Sequence, residues 1–410
     1  MSGFEIAAII FGLCALIGYA NIKLFKLPLT IALMLMGVVC GLALLAAKYS
    51  GIAIVQQLST QLTAIDFSKL VLDFMLCFLL FAGALQTDFL LLKRNRNSIA
   101  LFSLLSVLLS TFIYASIVYA VAPLLGLPIG FTYCLLLGAI LSPTDPIAIL
   151  GLLTQANIPK RAEINIVGES LFNDGIGIVL FVTILGVIED ANQNILATAS
   201  LLFLQQAVGG IVLGILYGKA LSYLLNSIDD YEVEILITLA VVCIGYWLAH
   251  SLGASGPLAM VVAGLLTGHH TRATHETDVV QKYLHKFWHL VDVILNAVLF
   301  LMMGLKVLDI VFEQHAVVLG VISIAVSLLA RYLSLIMPYY ISKRWINIDH
   351  KLIKLMTWGG LRGGLSIAMA LSLGANCLHK QEFAVVTYIV VLFSIFVQAL
   401  TMPWVVKKLA

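Results

Sequence analysis

The sequence predicts an all-α integral membrane protein of about 13 transmembrane helices, two of them discontinuous, and three observations carry that prediction. Only 11% of the 410 residues are charged while 61% are hydrophobic, and a soluble protein needs about 25% charged residues to cover its surface. The apolar residues run in long stretches such as 99–121 and 195–225, where a transmembrane barrel would alternate every second residue. A spanning helix with its connection takes about 30 residues, which divides this chain into about 13 spans and leaves little for a soluble domain.

The spans follow from charges, prolines and polar clusters. The first, 4–22, comes after Met-Ser-Gly-Phe-Glu, which lacks the basic stretch of a signal peptide, so it reads as a retained span. Spans at 28–47, 67–91 and 98–122 are cut by Lys26, by the Lys48 region and by Lys93-Arg94-Asn95-Arg96. Residues 51–66 are too polar to span and are expected at the interface. The remaining spans are 130–154, 162–188, 199–225, 231–252, 255–270, 284–305, 316–341, 351–374 and 382–407. This division puts 17 of the 23 lysines and arginines on one side and four on the other, with Arg331 and Arg362 inside spans. Basic loops stay cytoplasmic, so the C-terminus is expected inside and the N-terminus outside.

Two spans are interrupted. The fifth contains Ser142-Pro-Thr-Asp-Pro146 and the twelfth Gly359-Gly-Leu-Arg-Gly-Gly364. Proline removes a backbone donor and glycine loosens a helix, so both stretches are expected to unwind. With the seventh span as linker, each interruption is fifth in its six-span half. Broken helices at matching positions point to a secondary transporter with its site at the midplane.

A charge in the bilayer centre costs at least about 2.5–3.5 kcal/mol. Asp145, Glu169, Asp174, Arg331 and Arg362 are the deep candidates, while Asp73 and Asp292 lie nearer segment ends. Glu169, Ser170, Asn173 and Asp174 share one side of the sixth span, because residues four apart are helix neighbours. Hard cations favour such oxygen ligands, and a carboxylate withdrawn from water holds a proton more readily. One aspartate can then take either a cation or a proton, and competition for it is exchange. The alternative is that the acids only pair with the arginines, Glu169 with Arg331. Two deep arginines against three deep acids leave one acid over.

At these residues the chain resembles the monovalent cation–proton antiporters, in the branch of bacterial NhaP-type antiporters and animal sodium–proton exchangers. The matching motifs are Ser142-Pro-Thr-Asp-Pro-Ile-Ala148, Gly168-Glu-Ser-Leu-Phe-Asn-Asp-Gly-Ile-Gly177, Leu295-Asn-Ala-Val-Leu-Phe-Leu301 with Gly304, Leu329-Ala-Arg-Tyr-Leu333 and Trp358-Gly-Gly-Leu-Arg-Gly-Gly-Leu-Ser366. The resemblance implies 13 spans in two inverted six-helix repeats whose broken spans, 5 and 12, cross. It implies a core domain drawn mostly from 67–188 and 284–407, and a dimerisation domain drawn from 4–47 and 199–270, in a homodimer. By the same resemblance Asp174 binds cation and proton, with Asn173 beside it and oxygens from Ser170 and Thr144 near the ion. Asp145 supports the crossing, Glu169 pairs with Arg331, and Arg362 stabilises the second unwound segment. An Asn-Asp pair implies one cation per proton, hence electroneutral exchange. The ion is expected to be Na⁺ or Li⁺, with K⁺ the alternative. Ala82 stands where several members place an acid, and with the sequence ending at Lys408-Leu-Ala no regulation by the long cytoplasmic tail of many eukaryotic relatives is expected.

The expected setting is a bacterial inner membrane, with lipid, monovalent cations and protons as partners and neither cofactor nor nucleic acid. The six single cysteines read as buried hydrophobes. The histidines at 269, 270, 275, 285 and 289 invite a pH-sensor reading, against which stands a solvated loop between spans. A cation channel needs an open path. An intramembrane aspartyl protease has no use for the arginine-bearing glycine segment. Both are remote alternatives, and no enzymatic activity is expected.

Overall fold

A computed structural model describes residues 3–49, 66–145, 160–189, 195–228, 230–274, 279–342, 349–374 and 377–409. Most of the described residues are helical, as lipid demands when every backbone polar group must find an internal partner. In chain order the helices are α1 Gly3–Ala20, α2 Leu29–Tyr49, α3 Phe67–Gln86, α4 Phe89–Arg94, α5 Arg96–Val121 and α6 Phe131–Leu141. There follow α7 Lys160–Glu189, α8 Ile195–Asn226, α9 Tyr231–Ser251, α10 Gly256–Thr274 and α11 Val279–Leu305. The last are α12 Gln314–Ser342, α13 His350–Trp358, α14 Gly364–Ser372 and α15 Lys380–Lys408. Nine helices among the described residues are long and apolar enough to cross a membrane.

The helices occupy the segments expected from sequence, with three differences. The third span ends at Gln86, not at 91, because Thr87 is extended and Asp88 starts α4 by accepting from the Leu90 and Leu91 amides. His269 and His270 belong to α10, and His285 and His289 to α11, so four of the five histidines are helical; His275 lies outside the described residues. Asp292 lies well inside α11 and not near its end. Residues 51–65 and the second half of the fifth span also lie outside the described residues.

Packing centres on the helices that carry the deep charges. The α2–α11 face joins α12 to α15 around Phe300, Met303 and Tyr388. A second apolar cluster packs α3 against α10 and α11, where Trp288 is fully buried against Phe78 and Phe81 and donates to Thr238 Oγ1 at 3.1 Å. A third sits between α5, α6, α12 and α15. By contrast α1 and α8 are mostly exposed, with large apolar side chains such as Phe4, Tyr19, Leu201 and Leu216 on the outside. That is the surface of a chain whose solvent is lipid.

Candidate functional site

The helix α6 stops at Leu141, and Ser142–Asp145 run on without helical pairing. Between α13 and α14, residues 359–363 are likewise unwound. The two stretches meet at a backbone hydrogen bond from the Asp145 amide to the Leu361 carbonyl, 2.8 Å long. Gly363 makes this crossing possible, since a Cβ there would lie 2.5 Å from Asp145 Oδ2 and 2.8 Å from its Cβ. Gly177 does the same on α7, where a side chain would strike the ring of Pro143.

Unwinding exposes backbone groups that need partners. A π-helical turn in α15, Ser394–Ala399, supplies several. Ser394 Oγ accepts from the Arg362 amide at 2.8 Å and donates to Gln398 Oε1 at 2.8 Å, while Gln398 Nε2 donates to the Trp358 carbonyl at 2.8 Å. The buried Arg362 guanidinium reaches the carbonyls of Ser142 and Gly360 at 3.4 and 3.5 Å, one from each unwound stretch.

On α7 the acid stripe faces this crossing. Glu169 is 1% exposed and accepts two bonds from Arg331 of α12, 2.8 Å from Nη1 and 2.6 Å from Nη2. Ser106 Oγ accepts a third bond from Arg331 at 3.1 Å and contacts Ser334 Oγ at 3.1 Å. The two serines carry no motif that sets them apart from other membrane serines, and sequence reasoning missed them. Asn173 Nδ2 donates to Glu169 Oε1 at 3.0 Å and to Thr144 Oγ1 at 2.7 Å; its Oδ1 accepts from the Thr144 amide at 3.2 Å. Thr144 Oγ1 and Ser170 Oγ are 3.1 Å apart. Asn173 thereby ties the unwound stretch to the Glu169–Arg331 pair.

Asp174 differs from its neighbours. It is half-buried and has no hydrogen bond or ion pair among the described residues, although Asp145 and Glu169 are close enough to act on it electrostatically. Its carboxylate lines a cavity of about 480 Å³ bounded by α3, α7, α11 and the crossing. Five carboxylates line that cavity, Asp88, Asp145, Glu163, Asp174 and Asp292, with neither lysine nor arginine among the described lining residues. Such a wall concentrates cations and repels anions. Asp88 and Glu163 lie by the basic α4 and at the first turn of α7, so Asp174, 11 residues along α7 from Glu163, is about 16 Å deeper. Ala82 is fully buried and outside the cavity lining, and Asp73 is exposed.

Comparison with known proteins agrees with this architecture. Residues 12–408 match the family model described as sodium/hydrogen exchanger, transmembrane. The chain is 38% identical to the Na⁺/H⁺ antiporter NhaP of Pseudomonas aeruginosa, over 99% of this chain and 96% of that one. It is 32% identical to the Na⁺/H⁺ antiporter NhaH of Halobacillus aidingensis, over 94% of this chain and 93% of that one. The structure of the sodium proton antiporter MjNhaP1 from Methanocaldococcus jannaschii superposes with a TM-score of 0.78 at 21% identity, covering 99% of this chain and 98% of the other. A full-length family match, close relatives along nearly the whole chain and a shared helical fold lead to one conclusion: this integral membrane protein belongs to the sodium/hydrogen exchanger family.

Proposed function

We propose that this chain exchanges Na⁺ or Li⁺ for protons across the membrane by alternating access, one cation for one proton, with Asp174 binding the two in competition. The observation that carries the reading is the contrast between two acids of one helix face: Glu169 is neutralised by Arg331, while Asp174 faces the cavity without a partner among the described residues. Around the crossing, Asp145, Glu169 and Asp174, with Asp292 on the cavity wall, outnumber Arg331 and Arg362. An uncompensated charge out of water costs several kcal/mol, so the empty site resists translocation. One Na⁺ or one proton at Asp174 changes the charge sum by the same amount, which makes the two half-cycles electrically equal. Thr144 and Ser170 offer hydroxyl oxygens for the dehydrated ion, with Asn173 orienting them and Asp145 holding the crossing. Activity needs no cofactor in this scheme.

The surrounding assignments belong to the same proposal. The chain crosses the membrane 13 times as two inverted repeats, with the core domain in 67–188 and 284–407. It pairs as a homodimer through 4–47 and 199–270, where α1 and α8 leave apolar faces exposed among the described residues. It lies in a bacterial inner membrane with its C-terminus in the cytoplasm. The test is Na⁺- or Li⁺-driven proton movement in proteoliposomes, expected in the wild type and lost in Asp174→Asn and Asp174→Ala. Full activity in either variant refutes the assignment. Collapsing the membrane potential with valinomycin and K⁺ is expected to leave the rate unchanged, and a strong dependence on potential refutes the one-to-one ratio. Exchange of K⁺ through the same site is the second reading, since side-chain oxygens alone do not set the cavity size, and a cation series in the same vesicles separates the two.

A further inference from the structure

A basic surface lies where the start of the second broken span meets the end of α15. The Arg362 amide donates to Ser394; further out, Trp358 accepts from Gln398 and donates through Nε1 to Thr401 Oγ1 at 3.0 Å. Numbers fall along α13 as they rise along α15, so the two helices run antiparallel away from the crossing. Seven residues beyond the Trp358–Thr401 bond stand Lys351 on one helix and Lys408 on the other, each about 10 Å further out. Spacings of three and four put Lys354 on one side of α13 with Lys351 and Trp358, and Trp404 on one side of α15 with Thr401 and Lys408. Lys351, Lys354, Lys407 and Lys408 are exposed, and none has an acidic partner among the described residues. The neighbouring Asp349 caps α13, its Oδ1 accepting from the Lys351 amide at 3.4 Å. Next to the lysines α15 turns an apolar strip outward, since Val397, Leu400 and Trp404 are exposed at helical spacing. The Lys408 ammonium lies 5.1 Å from the centre of the Trp404 ring, and tryptophan settles at the level of the lipid headgroups.

We propose that Lys351, Lys354, Lys407 and Lys408, with Trp404, bind an anionic phospholipid of the phosphatidylglycerol type, whose headgroup bridges α13 and α15. The phosphate meets the lysines and an acyl chain lies along Val397 and Leu400. Charge alone would suit any anion, but an apolar strip that runs into a group of ammonium ions matches a molecule with both parts. Lysines gathered at one depth repel one another, and a phosphate among them offsets that repulsion. Anionic lipid also draws lysine to the membrane surface. Because α13 leads into the unwound stretch and α15 holds that stretch through Ser394 and Gln398, the bound lipid clamps the frame of the crossing from outside. The binding depends neither on which ion is exchanged nor on exchange itself.

Thermal unfolding of the full-length protein, delipidated in neutral detergent and then given dioleoyl phosphatidylglycerol, tests this, while native mass spectrometry counts the lipid retained. A ligand bound only by the folded state raises the melting temperature. Phosphatidylglycerol is expected to raise it by several degrees, and phosphatidylcholine or inorganic phosphate to leave it unchanged. The combined variant Lys351→Gln, Lys354→Gln, Lys407→Gln and Lys408→Gln is expected to lose most of that rise and the retained lipid. A second variant, Lys93→Gln, Arg94→Gln and Arg96→Gln, discharges another exposed basic stretch and is expected to keep both. Each rise is read against the same variant without lipid, so a change in intrinsic stability does not enter. No rise with phosphatidylglycerol in the wild type overturns the proposal, as does an equal rise with phosphatidylcholine or inorganic phosphate. A rise that survives the four substitutions, or that falls equally in both variants, overturns it too. Neither readout involves transport, so failure here leaves the exchange reading standing, and a protein that moves no protons still reports whether the lipid binds.

Discussion

Replacing Glu169 by glutamine removes one charge from the pair that anchors α7 to α12 and changes little else in shape. Arg331 and Glu169 are 2% and 1% exposed and joined by bonds of 2.8 and 2.6 Å. Breaking a buried pair by removing one partner costs about 3–5 kcal/mol, most of it the penalty of a stranded charge. Glutamine keeps an oxygen for Asn173 Nδ2 and for one Arg331 nitrogen, which puts the expected loss near the lower end, about 3 kcal/mol. Asn173 retains its links to Thr144, so the half-saturating Na⁺ concentration is expected to move less than about threefold, under 0.7 kcal/mol. Thermal unfolding of the purified variant and the Na⁺ dependence of exchange read the two quantities separately. Glu169→Leu with Arg331→Met removes both charges and is expected to regain much of the loss, since apolar replacement of a buried pair is often neutral. A Glu169→Gln protein that melts with the wild type while its half-saturating Na⁺ rises tenfold or more would refute the structural role and make Glu169 an ion ligand.

Three further outcomes are expected. Gly363→Ala drives a methyl into Asp145 at the crossing and is expected to cost about 1–3 kcal/mol of stability and slow exchange; unchanged melting and rate would show that the crossing has slack. Arg272 donates to the carbonyls of Leu85, Gln86 and Thr87 at 3.2, 2.6 and 2.9 Å. Arg272→Gln is therefore expected to fray the end of α3 at the cavity mouth, seen as faster amide hydrogen exchange over 86–91, and unchanged protection there counts against it. Because protons and Na⁺ compete for one carboxylate, falling pH is expected to raise the half-saturating Na⁺ concentration without lowering the saturated rate; a rise with increasing pH contradicts competition.

The α7 stripe was legible because it is local. Residues four apart on a helix are neighbours whatever the tertiary fold, so Glu169, Ser170, Asn173 and Asp174 could be placed together from spacing alone. The breaks at 142–145 and 359–363 were legible for the same reason, since proline and glycine act on their own turn. The end of the third span was misjudged by hydropathy, because Leu90, Leu91 and Leu92 continue the apolar run while Asp88 caps a new helix. Ser106, Ser334, Ser394 and Gln398 gave no signal, because a hydroxyl or amide in a membrane helix normally bonds its own backbone. Asp292 was set aside for its position along the chain, yet it lies on the cavity wall.

Sequence by itself determined the class of molecule, a helical membrane protein with a few ionisable residues in its spans, since charge scarcity and apolar run length are properties of composition and order. Composition and spacing left open how those residues divide, which the resemblance anticipated and the tertiary structure decided. Arg331 meets Glu169 across 162 positions of chain, the two unwound stretches cross at Asp145 and Leu361, and Asp174 is left facing a carboxylate-lined cavity. Burial strengthens every such choice, because out of water a charge with a partner and a charge without one differ by several kcal/mol, and which charge has the partner depends on helices that are distant in sequence.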